Sequence, residues 1–123
     1  MCGRYSLTSN MEALAAHFAL QTTSTLKPRY NISPSQNCPV ITQNEDTTRE
    51  VESMRWGLVP HWSKGLDSKF TLFNARSETI GSKASFKYSF RHRHCLVPAD
   101  GYYEWTTDRS GKNAHRITIK NEP

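Results

Sequence analysis

The spacing of apolar positions divides this chain into short strands and two helices. CGRYSLT (2–8) reads as a short strand. Ser9 then precedes Glu12 by three residues, the spacing of a capping box. Met11, Leu14, Ala15, Phe18 and Ala19 follow at i, i+3, i+4, i+7 and i+8, which predicts an amphipathic helix over about residues 10–20 with its stripe in the core. Residues 21–38 are polar, carry Pro28 and Pro34, and read as an extended loop containing PRYNISP. PVITQ (39–43) and REVESMRW (49–56) have strand character and are joined by the turn-like NEDTT.

WGLVPHWSKGLDSK (56–69) is a Gly/Pro/Trp loop, and LFNAR (72–76) a short extended piece. SETIGSKASFKYSFR (77–91) predicts a second helix, weakened by Gly81. CLVPA (95–99) and GYYEWTT (101–107) read as strands, followed by a polar turn, DRSGKN, and the alternating strand HRITIK (115–120). The result is a strand-rich α+β chain with no repeat and no internal boundary, so residues 1–123 read as one domain. The final hairpin has nothing after it to cover its other side, and the pattern reads as unfinished.

Composition narrows the function. The 123 residues include 5 Phe, 5 Tyr and 3 Trp, as in an ordinary folded protein. No segment is apolar enough to span a bilayer and residues 1–20 lack signal-peptide order, so the chain reads as cytoplasmic, without a membrane partner. Cys2, Cys38 and Cys95 show no C-x-x-C or zinc spacing, which argues against a disulfide framework, a metal or another cofactor. The net charge of +5 fits a polyanionic partner or simply a solvated surface. Clustering sharpens it: Lys83, Lys87, Arg91 and Arg93, with His92 and His94, stand in a stretch free of acids.

Several residues are candidates for chemistry. Cys2 follows the initiator Met1, and methionine removal before a small residue would leave an α-amine and a thiol on one residue. That 1,2-aminothiol condenses with an aldehyde to an imine, and the thiol then closes a thiazolidine ring. It is equally suited to N-terminal-nucleophile amide hydrolysis. The plain alternative is a cysteine that only begins a strand. Glu104, among aromatics in DGYYEW, is a candidate general acid or base, or a solvent-facing strand position. Asn74 would orient a carbonyl or hydroxyl, or else bond its own turn. Arg4 and Arg76 suit phosphate, Trp62 and Phe86 suit base stacking, and each has ordinary surface or packing uses as well.

The strings MCGRY, PRYNISP, MRWGLVPHW, FNARSET and CLVPADGYYEW, in this order and spacing, resemble the SOS response-associated peptidase (SRAP) family from residue 2 to about 119. The resemblance implies a β-barrel-type core with flanking helices. It implies binding of single-stranded DNA in the DNA damage response. Cys2 would react with the ring-opened aldehyde of an abasic site and form a thiazolidine crosslink that shields the lesion. Asn74 and Glu104 match the family's asparagine and glutamate, Arg4 and Arg76 its DNA-contacting arginines, and Trp62 its loop tryptophan. Asn31 and Pro34 match a loop lining the active site, and Phe86 a residue near the displaced strand. A nucleoid-associated, cytoplasmic location follows from that role.

The family's domain is longer, and its catalytic histidine lies in an HD-R-MP-like string with no match here. The expectation is therefore a domain incomplete at its C-terminal end, completed by the missing half or by self-association. Two other readings remain: a cysteine peptidase acting mainly in self-processing, and an inactive relic with weak nucleic-acid binding.

Overall fold

In a computed structural model, which describes residues 2–21, 25–65 and 72–120, the chain forms two antiparallel sheets and two helices. Strands β1 (Tyr5–Leu7), β2 (Arg29–Ile32), β5 (Gly101–Asp108) and β6 (Gly111–Ile117) make the larger sheet in the order β2-β1-β5-β6. Strands β3 (Asn37–Gln43) and β4 (Arg49–Arg55) make the smaller one. Helix α1 (Met11–Phe18) follows β1, and α2 (Lys87–His92) precedes β5. The architecture is mixed α and β, as expected, and its sheets are antiparallel. Among the described residues both sheets are open, because β2 and β6 are edges and a barrel needs every edge paired. Among these residues, no helix is long and apolar enough to cross a membrane.

One core joins both sheets. Tyr5 and Leu7 of β1, Ile32 of β2, Val40 and Ile41 of β3, and Met11 and Leu14 of α1 are buried together. The helix presents the predicted stripe with one exception. Ala19 is exposed and left-handed (φ 54°, ψ 50°), ending the helix, and Leu20 supplies the next buried side chain. The N-terminal cap also differs from expectation. Asn10 caps α1, accepting the Ala13 N–H at 2.9 Å, because Ser9 is committed elsewhere. The Ser9 N–H and hydroxyl both donate to Asp100, at 3.0 and 2.6 Å.

The other differences have equally local causes. β2 lies in the region read as loop: only its Ile32 is buried, so its periodicity is faint and pairing with β1 makes it a strand. CLVPA contributes one bridge, Leu96 with Ile41, and goes no further because Pro98 has no N–H to donate. The helix expected over 77–91 is α2 alone. Residues 77–86 form separate turns instead, in one of which the Ser82 hydroxyl donates to the Thr79 carbonyl at 3.1 Å. The β5–β6 turn is tighter than DRSGKN, since Asp108 already pairs with Gly111. Gly111 supplies the positive φ of 124°, and the Asp108 carboxylate accepts from the N–H of Ser110 at 2.7 Å. Residues 22–24 of the expected loop, 66–69 of the Trp62 loop, and Met1 lie outside the described residues.

At the start of β5 the backbone leaves no room for a side chain. A Cβ on Gly101 would stand 2.8 Å from the Ile117 carbonyl oxygen and 2.9 Å from the Thr118 methyl. Gly101→Ala is expected to destabilise the chain by about 1–3 kcal/mol through displacement of β6. Urea unfolding measures this, and an unchanged midpoint would mean that β6 yields without cost.

Candidate functional site

The N-terminal residues run alongside β5 beyond the end of β1. The register pairs Tyr5 with Tyr102, and the Tyr103 N–H donates to the Arg4 carbonyl at 2.9 Å. Continuing this register puts Gly3 level with Glu104. Among the described residues, a Cβ on Gly3 would meet nothing within 4 Å beyond its chain neighbours, so the backbone is open there. On its other side Glu104 pairs across β5–β6 with His115, whose ring shares a hydrogen bond with the Thr106 hydroxyl at 2.8 Å.

Cys2 is half-buried, and its thiol donates to the Arg4 carbonyl at 3.6 Å. The side-chain amide of Asn74 donates to the Cys2 carbonyl at 2.9 Å, across 72 residues of chain. Asn74 reaches this place because its segment is pinned twice. Leu58 bridges to Leu72, its N–H donating to the Leu72 carbonyl at 2.8 Å. The Trp56 indole N–H donates to the Phe73 carbonyl at 3.2 Å. The Trp56 ring in turn packs on buried Tyr5, with centroids 5.4 Å apart. A contact between β1 and Trp56 thus places Asn74 beside Cys2.

Arg4 is oriented by β2. Its guanidinium donates to the Asn31 side-chain oxygen at 2.9 Å, and the Tyr103 hydroxyl donates to the Tyr30 carbonyl at 2.8 Å. Asn31, read as a loop residue, therefore sits on a strand that packs its polar face toward Arg4. Pro34 lies in the following turn, where the Ser35 N–H donates to the Trp56 carbonyl at 2.9 Å. The structure so brings together Cys2, Arg4, Asn31 and Asn74, with Glu104 one residue beyond Tyr103. Trp62 and Phe86 belong to other segments, and Arg76 ends the segment that carries Asn74. Trp62 is 47 % exposed and meets His61 edge-on, with centroids 4.9 Å apart. Arg76 is exposed and opens the turns that lead to α2, and Phe86 is half-buried immediately before that helix.

Three supporting residues escaped the sequence reading. Tyr103 and Trp56 looked like ordinary strand and core aromatics, and only their hydrogen bonds across the fold reveal what they position. Asp100 is the third. Its carboxylate accepts from the N–H and hydroxyl of both Thr8 and Ser9, which clamps the end of β1 to the start of β5. The adjacent Thr8-Ser9 pair and the Asp before a Gly were the only local signals.

The thiols differ in setting. Burial, reinforced by Cys38 and Glu52, pushes the Cys95 thiol up and withholds its reactive thiolate, although the residue as a whole is exposed. The Tyr5 hydroxyl is buried without a hydrogen-bond partner among the described residues, and burial, with Cys38 adding to it, raises its pKa as well.

The fold has close counterparts. A crystal structure of a protein from Bacteroides thetaiotaomicron matches 99% of this chain with a TM-score of 0.84 and 28% identity, the match covering 56% of that protein. A phage-related protein from Bordetella bronchiseptica matches 97% of the chain with a TM-score of 0.65 and 30% identity, over 56% of its own length. In sequence, the abasic site processing protein YoqW of Bacillus subtilis is 35% identical over 98% of this chain and 55% of its own length. The abasic site processing protein HMCES of Xenopus tropicalis is 36% identical over 74% of the chain and 30% of its own length. The chain spans about half the length of its bacterial relatives. The family model for SOS response associated peptidase (SRAP) matches residues 1–123. By sequence, the chain belongs to the SRAP family.

Proposed function

We propose that the chain processes abasic sites in single-stranded DNA by forming a covalent crosslink through Cys2. Removal of Met1 would leave the amine and thiol of Cys2 together. The amine adds to the ring-opened aldehyde of the abasic sugar and water leaves, giving an imine. The thiol then adds across the C=N bond. Sulfur bonds to carbon, the proton passes to nitrogen, and a thiazolidine closes with the net loss of one water.

The observation that carries this reading is the Asn74 amide on the Cys2 carbonyl, beside the open backbone at Gly3. A nucleophile so anchored is held in one orientation toward a ligand approaching there. In this proposal Glu104 transfers the proton that opens the sugar ring, and Asn74 also holds the sugar oxygen. Arg4, oriented by Asn31, and Arg76 grip flanking phosphates, which fixes position without reading sequence. Trp62 supports a neighbouring base, Pro34 shapes the loop beside the site, and Phe86 stands near the displaced strand.

The names of relatives such as YoqW and HMCES support abasic-site processing. They are longer proteins, and in the longer form we expect further strands to close the barrel and to bring the family's histidine to Cys2. Such a protein would act at the nucleoid, in the cytoplasm. The family description also names a peptidase. Self-processing would cut the Met1–Cys2 bond, whereas the Asn74 hydrogen bond falls on the carbonyl beyond it, which favours crosslinking over hydrolysis.

The test is intact mass after incubation with an abasic single-stranded oligonucleotide. The expected species has the mass of the chain without Met1 plus the oligonucleotide, less one water. An adduct that retains Met1, or no adduct, would overturn the proposal.

A further inference from the structure

We propose that the exposed ridge around α2 is a second contact for single-stranded DNA, seating the strand that leads away from the lesion. This rests on the DNA-binding half of the proposed function and not on the chemistry of Cys2.

From Lys83 to Ala99 the chain contains no acid, and its cations Lys83, Lys87, Arg91 and Arg93, with His92 and His94, are all exposed. Helix α2 buries none of its residues, so the core does not account for its composition. Lys87 and Arg91 stand one turn apart and share a face. Tyr88 and His92 do the same, with ring centroids 5.0 Å apart, and the Arg93 guanidinium lies 5.5 Å from the centre of the Tyr88 ring. Arg93 is thus set against an aromatic face, an arrangement that a nucleobase extends by stacking.

The choice of a single strand follows from the aromatics. Tyr88 is 52% exposed and Phe90 45%, interleaved with cations. Base faces are available to such a platform in a single strand, while a duplex offers mainly its phosphates. Placement agrees as well. Consecutive turns, from Ile80 N–H to the Arg76 carbonyl and from Lys87 N–H to the Lys83 carbonyl, both at 2.9 Å, carry the chain from Arg76 directly onto the ridge. A strand gripped at Arg76 therefore has the ridge as its continuation.

The experiment measures binding of the full chain to undamaged single-stranded oligonucleotides of about 6 and about 20 nucleotides, against salt, with a duplex as comparison. The triple variant Lys83→Gln/Lys87→Gln/Arg91→Gln is expected to flatten the salt slope on the longer strand by about 2, roughly 0.7 per lost phosphate contact. Tyr88→Leu is expected to weaken the longer strand about tenfold with the slope unchanged. Both variants should keep crosslinking to a short abasic oligonucleotide, which separates failure of the ridge from failure of the Cys2 reaction. The charge-conserving Lys83→Arg/Lys87→Arg variant should retain the parent slope. Unaltered slope and affinity on the longer strand would overturn the proposal and leave a solvated basic surface. A loss confined to the duplex would overturn it too.

Discussion

Cys2→Ser is expected to abolish the stable DNA adduct while leaving an imine that borohydride can trap. The variant keeps a small second residue, so Met1 removal proceeds, and it keeps the α-amine that attacks the aldehyde. It loses the thiol that closes the ring. A serine hydroxyl is scarcely ionised near neutrality and adds poorly to the imine, so the linkage stays hydrolysable. Cys2→Ala should behave alike. A residue inserted between Met1 and Cys2 should remove the thiazolidine, because the thiol then has no adjacent amine. Neither Cys38, which is buried, nor Cys95 has an α-amine, so neither substitutes. Denaturing electrophoresis with and without reductant distinguishes these products. A heat-stable adduct formed by Cys2→Ala would exclude the thiazolidine. The Asn74 hydrogen bond goes to the Cys2 backbone carbonyl, so the side-chain change leaves that anchor in place.

Asp100→Asn is expected to lower Tm by about 10 °C at neutral pH. The carboxylate accepts four donors from Thr8 and Ser9, at 2.8 Å from the Thr8 hydroxyl and 2.6 Å from that of Ser9. Three of these donors meet one carboxylate oxygen and the Ser9 hydroxyl meets the other, so an asparagine would set its own NH2 in place of one of these acceptors. Charge-assisted hydrogen bonds of this kind, discounted for partial exposure to solvent, contribute roughly 2–3 kcal/mol together. The clamp also sets the pH dependence. Burial alone would raise the Asp100 carboxyl, but the donors of Ser9 and Thr8 outweigh it and hold the group below its ordinary value. As pH falls, the unfolded chain therefore takes up this proton before the folded one does. The stabilisation is whole above the ordinary aspartate value of about 3.9 and is lost as pH falls through the lower folded value. The gap between parent and Asp100→Asn should narrow below about pH 4. Melting curves from pH 7 to about pH 3 check this, and a constant gap would mean that the clamp does not depend on the charge.

Legibility differed by element. Helix α1 was plain because five apolar residues kept its period, yet its cap moved from Ser9 to Asn10 because a carboxylate 91 residues away claims Ser9. The β5–β6 hairpin was plain apart from its turn length. β2 was invisible because one buried side chain in four makes no pattern. The second helix was overextended, since helical spacing across residues 77–86 does not outweigh a glycine and several hydroxyl residues that favour isolated turns.

The same division holds for the candidate site. The sequence by itself determined the family, through five unusual strings in order, and it determined which residue types carry the chemistry that we propose. The tertiary structure decided which of them meet. Asn74 reaches Cys2 only because Trp56 packs on Tyr5 and holds Phe73, and Arg4 is aimed only because β2 pairs with β1. Those positions depend on hydrogen bonds between residues 17 to 72 apart, which no local pattern of hydrophobic and polar residues records.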